Sequence, residues 1–393
     1  MLRVAFTPFV DPAWTGGIHY MRNLFTALAD LPDRPVEPVL FRPPDAPAQT
    51  WQHLLPFLTT APVVIPGWAG SRGRRLARVA AQGRDPDAEV AFEAAGVGLV
   101  FVNDTWYGHR CALPTLAWIA DFQHCHLPGM FTRRQRWMRS AKFAAYCRFA
   151  SRVMVSSLDG KRDCETYFPA SEGRVDAVPF AVDVAASNLE VDAAHVVARH
   201  NLPDKFFFFP AQMWRHKNHL AFIDALARLK AAGVPFVVAA SGHAADVFRP
   251  DYPGQVMRHI AQAGLEQQIR FLGHLPYADL LALMRCAAAV VNPSLFEGWS
   301  TTVEEAKSLG VPLVLSNLRV HREQAPAGTH FFDPTSVDDM ARVLASAWAD
   351  SVPGPRPSIE AAAWQGYQQN RVVFARGFAA VAQKAQAGGL GEK

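Results

Sequence analysis

Two stretches of the chain repeat one pattern: a short apolar run, a loop, then apolar positions spaced three and four apart. The run LRVAFT (Leu2–Thr7) leads through a loop at Pro8–Gly16 into a helical pattern over Gly17–Asp30. The run KFFFFP (Lys205–Pro210) leads through Ala211–His216 into a helical pattern over Asn218–Ala232. An apolar run bounded by turn residues and followed by a 3.6-residue period reads as the β-loop-α opening of a parallel sheet. Alternation continues after each opening. In the second half it predicts strands at Pro235–Ala240, Gln268–Leu272, Ala288–Asn292 and Pro312–Ser316. The restart at Lys205 predicts two doubly wound α/β units. Ala181–Leu202 reads as a linker, and a Pro-rich break at Val352–Pro357 precedes a last helical segment from about Ser358.

Length and composition agree with this reading. A chain of 393 residues suits two to three domains, and 50% hydrophobic residues with 19% charged can fill large cores, which excludes a mainly disordered chain. Net charge is only +4 and each half carries a small positive excess, so no nucleic-acid tail stands out and no nucleic-acid motif appears. The five cysteines lie far apart with no C-x-x-C, which argues against a disulfide scaffold or zinc ribbon and for a reducing, cytosolic setting. Pro8, Pro12 and Gly16 follow the first strand directly, leaving no signal-peptide core. The longest apolar stretch, around Ala94–Val102, falls short of the ~20 residues of a membrane span. The expectation is a cytoplasmic protein that at most rests on the inner membrane surface.

Two windows carry candidate chemistry. In NPSLFEGWSTTVEEAKSLGVP (Asn292–Pro312) a strand ends, a loop holds Glu297 and Gly298, and a helix begins near Ser300–Thr302. The carboxyl end of a strand in an open sheet is where ligands bind, and a helix N-terminus offers free N–H groups to a diphosphate. Glu305, separated from Glu297 by seven residues, stands in the first turns of that helix, where a carboxylate can accept from sugar hydroxyls. A plainer reading also exists: Thr301-x-x-Glu304 and Thr302-x-x-Glu305 both spell a capping box. The second window, PAQMWRHKNH (Pro210–His219), sets Arg215 and Lys217 at another strand's carboxyl end, as in a diphosphate clamp or an ordinary charged loop. Both windows belong to one predicted sheet, so they can meet in one pocket.

Glu297-x7-Glu305 within PSLFEGW, the Gly310–Pro312 turn, the Lys217 loop, Ser241-Gly242 and Gly273-His274-Leu275 together resemble the retaining glycosyltransferases of family 4. The resemblance covers roughly Lys205 to Ala349; in the first half Gly16-Gly17, Trp118–Pro128 and Val178–Asp183 match more loosely. It implies a GT-B fold, two Rossmann-like domains facing a central cleft. The first would be residues 1–184, with a C-terminal helix about 370–393 returning to it, and the second residues 185–369. It further implies a nucleotide-diphosphate-sugar donor on the second domain and a glycan, lipid-linked or small-molecule acceptor on the first. Carried over, Lys217 holds the diphosphate, Glu305 the ribose hydroxyls and Glu297 faces the donor sugar. Gln212, Gly242, Leu275, Ser300, Thr301 and Thr302 line the donor, and Gly16 and Gly17 approach a phosphate or acceptor. Three departures stand out: Gln212 replaces the family's arginine, with Arg215 a substitute; Ser300-Thr301-Thr302 replaces its G-L-P; and Ala120-Asp121 replaces its H-D pair, with His124 a partial substitute beside Asp121.

His124-Cys125-His126 sets alternate residues of an extended segment to share a ligand sphere, yet no third or fourth ligand follows. No metal or cofactor is expected, and the segment reads as a polar loop lining the acceptor cleft. Between Asp121 and Asp159 there is no acidic residue, while Arg133, Arg134, Arg136, Arg139, Lys142, Arg148 and Arg152 are interleaved with Trp137, Phe143, Tyr146 and Phe149. A second acid-free window, Ala46–Arg84, holds Arg72, Arg74, Arg75, Arg78 and Arg84. Such segments rest on anionic lipid or recognise a phosphorylated acceptor, unless distant acids pair with them. The rival functions are a sugar-nucleotide hydrolase, epimerase or phosphorylase on the same fold, and a non-catalytic nucleotide-sugar-binding subunit. A dinucleotide oxidoreductase is disfavoured, since neither opening loop carries G-x-G-x-x-G.

Overall fold

The structure, a computed structural model, describes residues 1–11, 14–70, 72–246 and 249–388. Pro12 in the first loop and the end of the expected C-terminal helix, 389–393, lie outside the described residues. Contacts divide the chain into two units: Met1–Cys125, Thr132–Asp183 and Gln369–Lys393 in the first, His126–Phe131 and Val184–Gln368 in the second.

The first unit holds seven parallel strands, β1 (Leu2–Phe6), β2 (Val36–Arg42), β3 (Val63–Val64), β4 (Leu99–Val102), β5 (Thr115–Trp118), β6 (Arg152–Val155) and β7 (Val175–Ala177), in the order β3-β2-β1-β4-β5-β6-β7. The second holds six, β8 (Phe207–Pro210), β9 (Val238–Ser241), β10 (Ile269–Phe271), β11 (Ala289–Asn292), β12 (Leu313–Ser316) and β13 (His330–Phe332), ordered β10-β9-β8-β11-β12-β13. The second order is 3-2-1-4-5-6 and the first is the same with a seventh strand at its end, the doubly wound arrangement of a Rossmann-like sheet. The predicted second-unit strands all form, starting one to three residues later than expected, and β9 ends one residue later, at Ser241. β13 escaped the sequence reading, because three residues after Gly328 give no period to detect.

Strands covered on both faces need continuous apolar runs, not alternation. Phe206–Phe209 and Ala287–Val291 are such runs, all buried. Over one face of the second sheet, helix His219–Ala231 lays Phe222, Ile223, Leu226 and Leu229 beside Met340, Leu344 and Ala347 of helix Val337–Asp350. This core fixes β8 beside β11, with Phe208 opposite Val290. The strand order reverses between these two, which places the sheet's crevice at their carboxyl ends.

In the first unit the end of helix Pro357–Gly388 contributes Phe378, 5.9 Å from Phe6 and 5.7 Å from Phe101 by ring centroids. Arg376 pairs with Asp33 at 2.5 Å, and Arg371 with Asp30. No helix among the described residues is long and apolar enough to cross a membrane.

Candidate functional site

The chain leaves β8 at Pro210 and turns through the 3-10 segment Arg215–Lys217 to Asn218, whose φ of 61° opens helix His219–Ala231. Asn tolerates this left-handed conformation better than most residues. The chain leaves β11 at Asn292 and enters helix Thr301–Ser308 through Ser300. The two loops are joined: Leu295 N–H donates to the His216 carbonyl at 2.8 Å, and Thr302 Oγ1 to the Pro210 carbonyl at 3.4 Å.

Their junction holds an ion pair, Lys217 Nζ to Glu297 Oε1 at 2.6 Å, with side chains 19% and 10% exposed. Ser294 Oγ lies 2.7 Å and Asn292 Nδ2 3.4 Å from the same carboxylate oxygen. Burial would raise the Glu297 pKa, but Lys217, then His216 and His321, outweigh it and hold the group near 2. A depressed acid stabilises the fold above its ordinary value of 4.5, and that contribution fades as pH falls through about 2.

Ser300 caps the helix beyond, its hydroxyl accepting from Val303 N–H at 3.4 Å. The Ser300 N–H is taken by Gln324 Oε1 at 3.1 Å. The Thr301 and Thr302 N–H groups keep no hydrogen-bond partner among the described residues. They stand at the positive end of the helix dipole, the setting in which backbone binds anions. Neither expected capping box forms. The Glu304 carboxylate turns instead to Lys307 Nζ at 2.6 Å and Gln324 Nε2 at 3.0 Å. Glu305, 7% exposed, is pushed up to about 7 by burial, against a hydrogen bond with Tyr277.

The neighbouring loops are stitched by backbone. Ala211 N–H donates to Ser241, Met213 N–H to His243, and Gly242 N–H to Gly273 at 2.9 Å. Gly242 has φ +144°, and a Cβ there would run into the Ala211 carbonyl, so only glycine fits. Gln212 is half-buried in this stitching, Leu275 is buried, and His243 and His274 stack with centroids 4.1 Å apart. The structure thus gathers Gln212, Lys217, Gly242, Glu297, Ser300, Thr301 and Thr302 at one end of the sheet. Arg215 is exposed in the same 3-10 segment as Lys217.

Sequence reasoning missed Asn292, Ser294, His321 and Gln324. Asn292 and Ser294 flank the proline of NPS, a turn-forming cluster at a strand end that signals side-chain bonds to a loop. His321 and Gln324 sit on helix Arg319–Gln324, far along the chain, with no local signal. His321 is fully buried; its Nδ1–H donates to the Ser316 carbonyl at 2.9 Å, and Nε2 has no partner among the described residues.

The first-unit candidates are placed differently from expectation. His124-Cys125-His126 is not extended but belongs to the short helix Gln123–His126, where residues two apart point to different sides. His124 is 3% exposed and edge-on to Phe143; burial, then Arg139, holds its pKa near 4, so it is uncharged at neutral pH. It packs into the core instead of lining a surface. Asp121 pairs with Arg139 at 2.7 Å and accepts the Gln123 N–H. No group of three His, Cys, Asp or Glu among the described residues is arranged to hold a metal. Gly16 and Gly17 open helix Thr15–Ala29, where a Cβ on Gly17 would strike the Trp14 ring.

The basic windows are largely neutralised by distant acids. Arg139 meets Asp121, Lys142 meets Asp104, Arg152 meets Asp176, Arg75 meets Asp85, Arg72 meets Asp104, Arg84 meets Glu89, and Arg78 meets Asp87. Helix Arg133–Phe149 keeps an outer stripe of Arg133, Arg134 and Arg148, with Trp137 72% and Met138 52% exposed.

Comparison with known proteins bears on the same segment. The family profile described as "Glycosyl transferases group 1" matches residues 191–364. The chain is 27% identical over 208 residues to "Serotype-specific mannosyltransferase WbdA" of Escherichia coli, a match covering 51% of this chain and 25% of that protein. It is 39% identical over 87 residues to "O-antigen chain mannosyltransferase B" of Escherichia coli, covering 22% and 23%. The chain therefore spans about a quarter of the length of these curated relatives. The Anabaena protein HepE, solved in complex with UDP and glucose, superposes with a TM-score of 0.66 at 18% identity, covering 97% of this chain and 99% of that one. Residues 191–364 thus match the glycosyl transferases group 1 profile, and the chain has the two-Rossmann GT-B fold.

Proposed function

We propose that this protein is a retaining glycosyltransferase, moving a sugar from a nucleotide-diphosphate sugar to an acceptor hydroxyl in polysaccharide or glycolipid assembly. The observation that carries the reading is the junction of β8 and β11. There, Lys217 and the two open N–H groups of helix Thr301–Ser308 stand at the sheet's reversal point, with the buried Glu305 further along that helix. Lys217 and the N–H groups take the charge of the departing diphosphate, and Glu305 accepts from the ribose hydroxyls. The bond from the anomeric carbon to phosphate oxygen breaks. The acceptor oxygen bonds to that carbon on the same face, and its proton passes to the released diphosphate. Holding donor and acceptor in register supplies much of the remaining acceleration. Charge stabilisation is assigned to side chains and backbone and calls on no metal ion. The acceptor is assigned to the first unit.

The test is a melting-curve screen with UDP-, GDP- and ADP-sugars. Glucosyl and mannosyl donors come first, because the similar proteins bind glucose with UDP or are named mannosyltransferases. A donor at a hundred times its Kd stabilises the native state by about 2.7 kcal/mol. Stabilisation by one nucleotide class, followed by release of its diphosphate when acceptor is added, is the expected result. No shift with any donor would overturn the reading. Diphosphate release that ignores acceptor would favour a hydrolase.

The outer stripe of helix Arg133–Phe149 is assigned to an anionic membrane surface, where each basic residue contributes about 1 kcal/mol. The purified chain should sediment with vesicles containing acidic lipid at low salt and be released at high salt. Reversing Arg133, Arg134 and Arg136 to Glu should abolish sedimentation and leave donor affinity unchanged. Sedimentation unaffected by the reversal would return these arginines to an ordinary solvated face.

A further inference from the structure

Helix Arg319–Gln324 touches the donor in none of the roles proposed above, yet its last side chain holds the residue before the open N–H groups. Gln324 is 3% exposed. Its amide grips Ser300 from both sides: Oε1 accepts the Ser300 N–H at 3.1 Å, and Nε2 donates to the Ser300 carbonyl at 2.7 Å. The second Nε2 hydrogen goes to Glu304 Oε1 at 3.0 Å, which Lys307 also holds at 2.6 Å. Asn292 Nδ2 fixes the Ser300 hydroxyl at 3.1 Å. Every polar group of Ser300 is committed, and its backbone is set at φ −92° and ψ 114°. The directions of the next two peptide groups, Thr301 and Thr302, follow from that anchor.

A buried amide must satisfy one acceptor and two donors. Gln324 commits all three to the loop and helix in front of it and none to its own helix. An apolar side chain would fill the same space without those bonds. We propose that Gln324 is a positioning residue for the donor's diphosphate: it touches no ligand but aims the Thr301 and Thr302 N–H groups. This inference rests on the donor reading above.

The experiment measures binding of UDP, GDP and ADP, each beside its nucleoside, to the full chain and to Gln324→Leu and Gln324→Glu, with melting curves confirming that each variant is folded. Gln324→Leu should bind the diphosphate at least about tenfold more weakly, because the released Ser300 backbone turns to satisfy its groups elsewhere and takes the Thr301 and Thr302 N–H groups out of line, and should bind the nucleoside as before. Gln324→Glu is nearly the same shape. Ionised at about pH 8, it cannot donate to the Ser300 carbonyl, and it stands against Glu304. Protonated at about pH 5.5, it regains one donor and one acceptor, so its affinity relative to the unaltered chain should recover. Glu305, Lys307, His321 and Glu323 are present in both proteins, so comparing the two at each pH removes their titration, while Glu304, against which the new carboxyl stands, titrates with it as one pair. Three results would overturn the proposal alone: a folded Gln324→Leu chain with undiminished diphosphate affinity, equal losses for nucleoside and diphosphate, or a Gln324→Glu ratio that ignores pH. An unaltered chain that binds none of the three nucleotides would overturn the donor reading, and this inference with it.

Discussion

Lys217→Ala should lower the rate of sugar transfer by about 10²–10³-fold, the usual effect of removing one group that stabilises developing negative charge. It should also weaken the fold, because Glu297 is then buried without its cation. Breaking a buried pair by removing one partner typically costs about 3 kcal/mol or more. The two effects separate in a double variant. Lys217→Ala with Glu297→Gln removes the stranded charge and keeps the contacts of Ser294 and Asn292. Its melting temperature should return most of the way to that of the unaltered chain, while transfer stays lost. If transfer recovers with stability, Lys217 is a structural partner of Glu297 and no part of a diphosphate clamp.

Glu305→Gln should flatten the pH dependence of donor binding. Burial places the Glu305 pKa at about 7, so the carboxyl is half protonated near neutrality. An ionised carboxylate accepts from two ribose hydroxyls and a protonated one does so poorly, so donor affinity of the unaltered chain should rise from about pH 6 to pH 8. The fold should change the opposite way. A carboxyl whose folded pKa lies above its ordinary 4.5 loses stability as pH climbs from there through about 7. The difference is on the order of 3 kcal/mol, and Glu305→Gln should remove it. Hydrogen bonds to a charged group contribute about 1.5–3 kcal/mol each, so at pH 8 donor affinity should fall roughly tenfold to a hundredfold in the variant. Calorimetric titration beside melting curves across this range decides the matter. A pH-dependent donor affinity that survives in Glu305→Gln would remove the residue from the site.

Both units were legible in the sequence because their strands are covered on both faces, and such strands announce themselves as unbroken apolar runs such as KFFFF. The loops after β8 and β11 were legible because strand-end turns combine residues of distinct chemistry within a few positions. What stayed hidden was support arriving from far along the chain. Gln324 reaches Ser300 across 24 positions, and no spacing rule connects them. The capping boxes at Thr301 and Thr302 were a reasonable local reading, but Ser300 took the cap and tertiary partners took Glu304. The basic windows show charge but not its partners: the acids that pair with them, Asp85, Asp104 and Asp176, lie outside the acid-free stretches. His124 read as a loop residue because its neighbours are polar, whereas packing against Phe143 draws it into the core.

The placement of the donor is tested most directly by a crystal of the full chain soaked with the nucleoside diphosphate that stabilises it most. Density should appear at the carboxyl ends of β8 and β11. Phosphate oxygens should lie within hydrogen-bond distance of the Thr301 and Thr302 N–H groups, the ribose on Glu305, and Lys217 Nζ drawn from Glu297 toward phosphate. A nucleotide bound away from these two loops, or bound here with Lys217 still closed on Glu297 and both N–H groups unoccupied, would contradict the assignment.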